Sequence, residues 1–488
     1  MAVDKNVYQN AGDYTLDGVL IVGSSGEKIN VYSQVRELNI YQSIDSPYMS
    51  GSVVIADAEG VAEILPFLGQ ERLLFMLQTP NQEGTIDFNE YHAIIYNVET
   101  RFHTTDRKQT LVLNWTSLEH YKNIRTKISA SFDGMISDIV ETILIDDDYL
   151  SSNKPIYIDL TKNIRKYVIP NLNPFQTIEL LRKEAVSAEE QSPHFLFYEN
   201  PNGFHFRSLD SLIGSQGDLS VDHKRTYKYE PPQENQPAQD TMATILNWQV
   251  EDNTNNFLST KLGMFGSTLY YHDIFNKNIQ KFEFDYTKDS FAIRNSTNQE
   301  DKSSGPLVSQ GTIDMKKTIT EFPDSKIFVH PTASDNLHSL GTDNNAEEWL
   351  QESISRELER EYFTLKIETY GNTDIMAGDM INVIIPSNKP LSKSSGKDAI
   401  DPILSGRYLV SSLHHKVSPT ESLHTMVMTI MKDSVSIATP VRDVQYPEEP
   451  KGAVDVGLKT TKRKLKPKTK FTGVETVEGG RMKGQSGR

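Results

Sequence analysis

His92-Ala-Ile-Ile-Tyr-Asn-Val98, a polar turn and Thr110-Leu-Val-Leu-Asn-Trp115 share a layout with Arg407-Tyr-Leu-Val-Ser-Ser-Leu413, a turn and His424-Thr-Met-Val-Met-Thr429, far along the chain. Each stretch is two short runs of apolar, β-branched and aromatic residues flanking turn residues, which is the pattern of a β-hairpin with one face in a core. The likeness is one of pattern and not of identity, and any two hairpins share part of it. It sets the expectation that the chain carries two similar β-domains.

Working outward from the first hairpin, residues 15–128 read mainly as strands, at 18–22, 35–41, 50–56, 72–78, 91–100 and 109–116. A short helix is expected over 58–65, stopped by Pro66. The hairpin turn is expected over 103–108, and a small antiparallel sheet or barrel is the natural outcome. Near residue 130 the period changes: Phe132, Met135, Ile136, Ile139, Val140 and Ile143 fall on one helical stripe behind Ser131 as a cap. A second helix has Asn173 as cap, Pro174 in the first helical position and Gln176 where a capping box needs it, with Phe175, Ile178, Leu181 and Ala185 as its buried stripe. His194-Phe-Leu-Phe-Tyr-Glu199, Asn200-Pro-Asn-Gly203 and Phe204-His-Phe-Arg-Ser-Leu209 then spell a hairpin.

Outward from the second hairpin the pattern is interrupted. A strand at 244–251 gives way to polar, amide-rich stretches such as 295–304, which read as an insertion. A helix over 346–361 follows, with Leu350, Ile354 and Leu358 on one line, then strands at 363–368, 380–385, 407–415 and 423–431. Ala377-Gly-Asp379 is a tight turn, and 387–401 is a surface loop. The expected class is α+β, mainly β: a first barrel over 1–128, a small α+β module over 129–225, a second barrel over 226–445 with its insertion around 255–345, and a basic tail over 446–488.

Composition narrows the chemistry. At 488 residues the chain exceeds one compact domain. It has no cysteine, so disulfides, thiolate metal sites and cysteine nucleophiles are excluded, and a reducing cytoplasm is the expected place of synthesis. It has no run of about 18 apolar residues, and its start lacks the pattern of an export leader, so no membrane insertion is expected. The net charge is −16, but residues 451–488 carry eleven Lys/Arg against three Asp/Glu, a local +8 that leaves the body at −24. So acidic a body is a poor general nucleic-acid binder.

The candidates for chemistry each have a plainer reading. Asp146-Asp-Asp148 is a dense carboxylate cluster without the glycine and distal glutamate of a calcium loop, and reads as a solvated helix-end turn. His414 and His415 are adjacent on a strand and point to opposite faces, so only one could face His424; surface or rim positions are expected. His194 and His205 are expected opposite one another across the hairpin. Glu179, Glu184, Glu189 and Glu190 could supply a carboxylate pair for peptidoglycan cleavage but read as a helix's solvent face. Trp115, Trp248 and Trp349 read as core or interface anchors. No nucleophile elbow, zincin motif, phosphate loop or dinucleotide fingerprint occurs, so no catalytic, cofactor or metal residue is assigned.

The order of domains resembles the baseplate hub proteins of T-even-like contractile-tailed phages, a family related to the hub part of type VI secretion spike proteins. Gly51-Ser-Val-Val-Ile-Ala-Asp-Ala-Glu59 is similar to the family's first tube-type barrel, Asn173-Pro-Phe-Gln-Thr-Ile-Glu-Leu-Leu181 with the hairpin at 195–206 to its middle domain, and Tyr362-Phe-Thr-Leu-Lys-Ile-Glu368, Ala377-Gly-Asp-Met-Ile-Asn-Val383 and Gly406-Arg-Tyr-Leu-Val-Ser-Ser-Leu-His-His415 to its second barrel. The resemblance implies a non-enzymatic homotrimer in which two similar barrels per chain make a pseudo-six-fold ring. It implies as partners a trimeric tail spike protein, tail tube or tube-initiator proteins, and a tape-measure protein at the lumen, with DNA passing through without specific binding. The implied place is the virion's tail baseplate, assembled in the bacterial host cytoplasm. Outside that reading stand a baseplate-associated peptidoglycan hydrolase and the hub of a non-phage contractile injection system.

The segment Lys459-Thr-Thr-Lys-Arg-Lys-Leu-Lys-Pro-Lys-Thr-Lys470 has charge but no apolar stripe, so it gains order only from a partner. Truncation at Pro450 is expected to leave thermal unfolding of the body unchanged while weakening binding to tail components in a salt-dependent way. Loss of the folded body on truncation would contradict this.

Overall fold

Antiparallel strands dominate the architecture, and the longest sheet runs through both halves of the chain. The computed structural model describes residues 10–58, 60–64, 67–105, 108–214, 223–230, 237–251, 255–273, 277–291, 305–306, 318–331, 345–387 and 400–435. The basic tail, the stretch 295–304 and most of the loop 387–401 lie outside the described residues.

The first half contains β1 (Thr15–Val22), β2 (Lys28–Asn30), β3 (Val35–Ser43), β4 (Ser50–Asp57), α1 (Val61–Ile64), β5 (Arg72–Gln78), β6 (Thr85–Asp87), β7 (Ala93–Thr105) and β8 (Lys108–Ser117). The β7–β8 ladder extends to Thr105↔Lys108, so the hairpin is longer, and its turn tighter, than the polar run 103–108 suggested. Alternation along β4 buries Gly51, Val53 and Ile55, and the latter two join Leu38, Phe75 and Trp115 in the first core.

The module follows with α2 (Leu118–Arg125), β9 (Ser131–Gly134), α3 (Ile136–Ile145), β10 (Ile156–Ile158), β11 (Arg165–Val168), α4 (Pro174–Arg182), β12 (Phe195–Asn200), β13 (Gly203–Ser208) and α5 (Leu209–Ile213). Phe132 belongs to β9, opposite Tyr167, and Met135 rather than Ser131 precedes α3. The apolar spacing of 132–143 thus spans a strand and a helix, because each alone can present Phe132 and Ile136 to one core. α4 starts at the expected cap, where the Asn173 N–H donates to Gln176 Oε1 at 3.2 Å. Gly203 opens β13 with φ of 138°, and a Cβ there would lie 2.0 Å from the Pro155 carbonyl oxygen.

The second half contains β14 (Thr226–Lys228), α6 (Ala238–Thr241), β15 (Ile245–Glu251), α7 (Asn256–Leu262), β16 (Gly266–Asp273), β17 (Asn278–Asp285), β18 (Gly305–Pro306), β19 (Ile327–Pro331), α8 (Ala346–Arg360), β20 (Thr364–Tyr370), β21 (Met380–Ile384), β22 (Gly406–Ser418), β23 (Leu423–Met431) and β24 (Ser434–Val435). The insertion supplies a separate sheet, β17-β16-β19, against which α8 packs through Trp349. A second core gathers Leu365, Ile367, Val383, Val410, Met426 and Met428.

Both halves thread their sheets alike. The first reads β1-β5-β7-β8-β4-β3 and the second β14-β21-β22-β23-β20-β15. In chain order each is the first, fourth, fifth, sixth, third and second of six strands. The bulge between Val35 and Glu37 against β4 has its counterpart between Ile245 and Asn247 against β20, and that between Ile95 and Asn97 against β8 has one between Val410 and Ser412 against β23. The halves differ in their first strand: β1 is antiparallel to β5, whereas β14 is parallel to β21. Counting through the ladders makes Ile94 the counterpart of Leu409, as the sequence pattern has it, but sets Thr110 beside Thr425 and not His424. The one-residue slip matters because it puts Trp115 beside Ile430, both core-facing.

Close packing at Gly51 gives a direct check. A Cβ there would lie 2.1 Å from the Asn39 carbonyl oxygen and 2.4 Å from the Trp115 ring, whereas one at Gly134 meets nothing within 4 Å. In urea unfolding, Gly51→Ala is expected to cost about 1–3 kcal/mol and Gly134→Ala within about 0.5 kcal/mol. Equal effects at the two sites would contradict the packing.

Candidate functional site: the paired and unpaired edges of the wall

Eight strands form a continuous wall, β15-β20-β23-β22-β3-β4-β8-β7. The halves join inside it. The first residues of β22 pair with β21, and its far part crosses to β3 of the first half, from Ser412↔Ser43 to Val417↔Leu38. The β7 strand is built the same way: Ala93 and Ile94 pair with β5, but beyond Asn97 its outer side meets no further strand among the described residues. At the other end β15 pairs only with β20 among the described residues. By the strand equivalence, β7 corresponds to β22 and β15 to β3. The two open edges are therefore the counterparts of the two strands that pair at the internal junction.

One face of the wall covers the two cores, and the other is polar. At the internal junction Tyr41 stacks on His414 at 4.5 Å between ring centres, and the imidazole Nε2 of His414 lies 2.8 Å from Asn39 Oδ1. A surface cavity of about 290 Å³ opens there, lined by Tyr41, Tyr48, Lys366 and His414 among others. Ser50, Ser52, Asn114, Ser412, Thr425 and Thr429 share this face, with Glu37, Glu99, Glu251 and Glu368 against Lys366 and Lys416. Much of the body's negative charge therefore lies elsewhere.

The junction is braced by buried ions. Lys154 donates to Glu119 at 2.7 Å and pairs with Glu199, whose other oxygen accepts the Met49 N–H at 3.0 Å. Arg356 on α8 pairs with Asp210 on α5 and with Glu359 at 2.6 Å. Burial pushes the Glu359 carboxyl up to about 7, against the pull of Arg356. Removing one member of such a cluster strands the others, which makes these braces rather than reactive groups.

The histidines are placed differently from expectation. His415 and His424 are fully buried, not at a rim, and His415 Nδ1 lies 3.1 Å from His424 Nε2. His205 sits opposite Tyr198 and not His194, and stacks between Tyr157 and Tyr198 at 4.7 and 4.8 Å. His194 precedes the hairpin and lies 3.2 Å from Glu357. The spacing rule that separates His414 from His415 was legible; the depth of the sheet behind them was not.

Asp146, Asp147 and Asp148 form an exposed turn after α3, tied by the Asp148 N–H to Asp146 Oδ1 at 2.9 Å. Glu179 pairs with Arg182, Glu184 accepts from the Tyr167 hydroxyl at 2.8 Å, and Glu190 accepts from the Ser208 hydroxyl at 2.6 Å, while Glu189 is exposed. Trp115 lies in the first core beside Phe88, Trp248 is partly buried against the second, and Trp349 is buried under the insertion sheet. Among the described residues no group of three or more His, Cys, Asp or Glu is placed to hold a metal ion, and no helix is long and apolar enough to cross a membrane.

No protein-family model matches the sequence, and neither does any curated protein. Among solved structures, the chain is similar to the tail protein from Neisseria meningitidis MC58, at 12% identity and a TM-score of 0.48 over 88% of this chain and 98% of that one. It is similar to the 43 kDa tail protein of prophage MuSo2 from Shewanella oneidensis, at 8% identity and a TM-score of 0.46 over 87% and 100% of the two chains. A third is an E. coli component of the type VI secretion system, itself described as similar to T4 bacteriophage tail proteins, at 8% identity and a TM-score of 0.41 over 87% and 78%. Two of these neighbours are described as tail proteins, and the third as similar to tail proteins.

The histidine pair generates a pH dependence. Burial pushes His424 down to about 3 and His415 well below the ordinary 6.5, the latter also through His424 beside it. Both stay neutral in the folded chain, while the unfolded chain takes up protons below 6.5, so their stability is complete above that pH and is lost as pH falls toward 3. For His424 this amounts to about 2 kcal/mol of loss at pH 5. His424→Asn should shrink the stability difference between pH 7 and pH 5 by about that amount; an unchanged difference would contradict the assignment.

Proposed function

We propose that the chain is the structural hub of a contractile phage tail baseplate, in which three copies close a pseudo-six-fold ring that joins the tail tube to a trimeric cell-puncturing spike. The observation that carries it is the match between the open edges of the wall and the strands paired inside it. If β7 of one copy takes β15 of the next as β22 takes β3, the eight-strand wall continues without a break from chain to chain. Main-chain hydrogen bonds supply that contact, and an unpaired strand edge favours such addition. A head-to-tail contact of this kind makes either a ring or a filament, and three copies close it with six similar half-chains around the axis.

Three chains of eight strands give twenty-four. At about 4.8 Å between strands tilted by about 40° as barrel closure requires, the circumference is about 150 Å and the width about 48 Å, which leaves a bore of about 38 Å after a side-chain layer of about 5 Å on each wall. Facing the bore would be the serine-, threonine- and asparagine-rich side, with few charges of either sign. Such a surface neither grips phosphates nor strongly repels them, which suits passage of DNA without specific binding. A trimeric spike meets the ring's true three-fold symmetry and a hexameric tube meets its approximate six-fold, which is the physical use of the duplication. A tape-measure protein at the lumen and the virion baseplate as location belong to the same proposal.

The role is non-enzymatic. A peptidoglycan zymogram of the purified chain is expected to show no clearing; saturable hydrolysis abolished by one carboxylate substitution would favour the hydrolase reading instead.

The absence of cysteine makes the ring easy to test. Lys416 pairs with Asn39 at the internal junction, and their counterparts are Phe102 and Gln249. A Phe102→Cys/Gln249→Cys chain, oxidised after assembly, is expected to run as covalent trimers on a denaturing gel, while either single variant stays monomeric there. Absence of inter-chain bonds, together with a monomeric native mass, would overturn the proposal.

A further inference from the structure

At the internal junction Met376 is buried, and its counterpart beside the open edge, Leu68, is exposed. In the second half the turn before β21 lies at the junction: Asp379 Oδ2 accepts the Met376 N–H at 2.7 Å, the Asp379 carbonyl accepts the Val410 N–H at 2.9 Å, and the Ala377 N–H donates to Gln42 of β3 at 3.3 Å. Met376 is 3% exposed there. The first half builds the same turn before β5. The Glu71 carboxylate accepts N–H groups from Leu68, Gly69 and Gln70 at 2.6, 2.9 and 3.1 Å, and its carbonyl accepts the Ile95 N–H at 2.8 Å. Here Leu68, the counterpart of Met376, is 68% exposed, and Tyr96, the counterpart of Ser411, is 52% exposed.

On the other side an apolar segment follows each partner strand, buried at the internal junction and exposed at the open edge. After β3 the chain turns in so that the Ile44 N–H donates to the Ser411 carbonyl at 2.9 Å, and Ile44, 1% exposed, joins a core cluster with Ala377, Met380 and Leu409. After β15 the chain enters α7, where Phe257 is 84% exposed with half-exposed Leu258 beside it. A phenylalanine held that far into water with a half-exposed leucine beside it, on the helix that follows an open-edge strand in the chain, is a feature that solubility alone disfavours.

We propose that Leu68 and Tyr96 of one subunit receive Phe257 and Leu258 of the neighbouring subunit, forming the apolar anchor of the contact between copies. The occupant is a second copy of this chain, because the internal junction supplies the template: there the segment after the partner strand sits on the equivalent bulge, with the Ile44 N–H on the Ser411 carbonyl, and Ile44 shares a cluster with Ala377 of the equivalent turn. The contact rests on the ring reading and adds to it the side chains that hold the ring. Main-chain pairing gives it register, and the aromatic anchor gives it strength.

The test compares the native mass of the unmodified chain with those of Phe257→Asp and Leu68→Asp across a dilution series. The unmodified chain is expected to be trimeric, and each variant to need at least about tenfold higher concentration to assemble; thermal unfolding of the dilute, dissociated chains should be the same for all three, since both residues are exposed. A second measurement mixes singly substituted Leu68→Cys and Phe257→Cys chains with a short bismaleimide, and covalent dimers are expected. Trimers of unchanged strength in both aspartate variants, or no cross-link between 68 and 257 while 102 and 249 do link, would overturn this contact and leave the ring intact. An unmodified chain that stays monomeric at every concentration would overturn both.

Discussion

The pairing of β22 with β3 is the constraint on which the rest of the molecule depends. It is made of main-chain hydrogen bonds between two halves that each have their own core, and it fixes them as one surface. Because six consecutive residue pairs take part, from Ser412↔Ser43 to Val417↔Leu38, a slip of one residue would turn Leu413 and Val417 out of their cores. The module is then held in place around this seam. Tyr198 lies against Gly378, where a Cβ would come within 2.2 Å of its hydroxyl, and the Asn200 amide donates to the Ala377 carbonyl at 3.3 Å. Glu199 of the Lys154 cluster accepts the Met49 N–H of the first half, and Arg356 of α8 pairs with Asp210 of the module. Such pairs contribute little net stability but specify geometry, since a misplaced partner leaves a buried charge alone.

The two halves are alike where the seam requires it and different elsewhere. Strand order, the two bulges and the acidic turns at Glu71 and Asp379 are shared, and all of them lie in or beside the wall. The insertion and α8 fall between β15 and β20 and have no counterpart in the first half. The difference in direction between β1 and β14 likewise lies behind the wall. A duplicated unit has to keep its edges interchangeable only where it meets its copy, and its outer layers are free to diverge.

Local features were legible in the sequence wherever short-range chemistry decides them. The cap at Asn173, the turn at Pro201 and Asn202, and the hairpin from Ala93 to Val98 follow from residue type and spacing. The break between β9 and α3 was hidden because Phe132 and Ile136 serve one core from two kinds of element. The second hairpin strand was set one residue out of step because two extra bulges in β7 offset the longer turn before Leu423, and only the ladders fix that count. Burial of His415 and His424 also escaped, since a histidine in a strand gives no sign of what lies behind it. Above all, the seam joins residues 38–43 to 412–417, and no local signal in either segment reports a partner that distant. The open edges, which carry the functional reading, become meaningful only once that seam is seen.

An averaged image of the purified assembly at a resolution that separates strands tests the central claim most directly. The expected result is a ring of three chains whose inner wall is an uninterrupted barrel of twenty-four strands, with β7 of each chain hydrogen-bonded to β15 of the next. A monomer, a dimer, or a ring whose wall is broken between chains would contradict it.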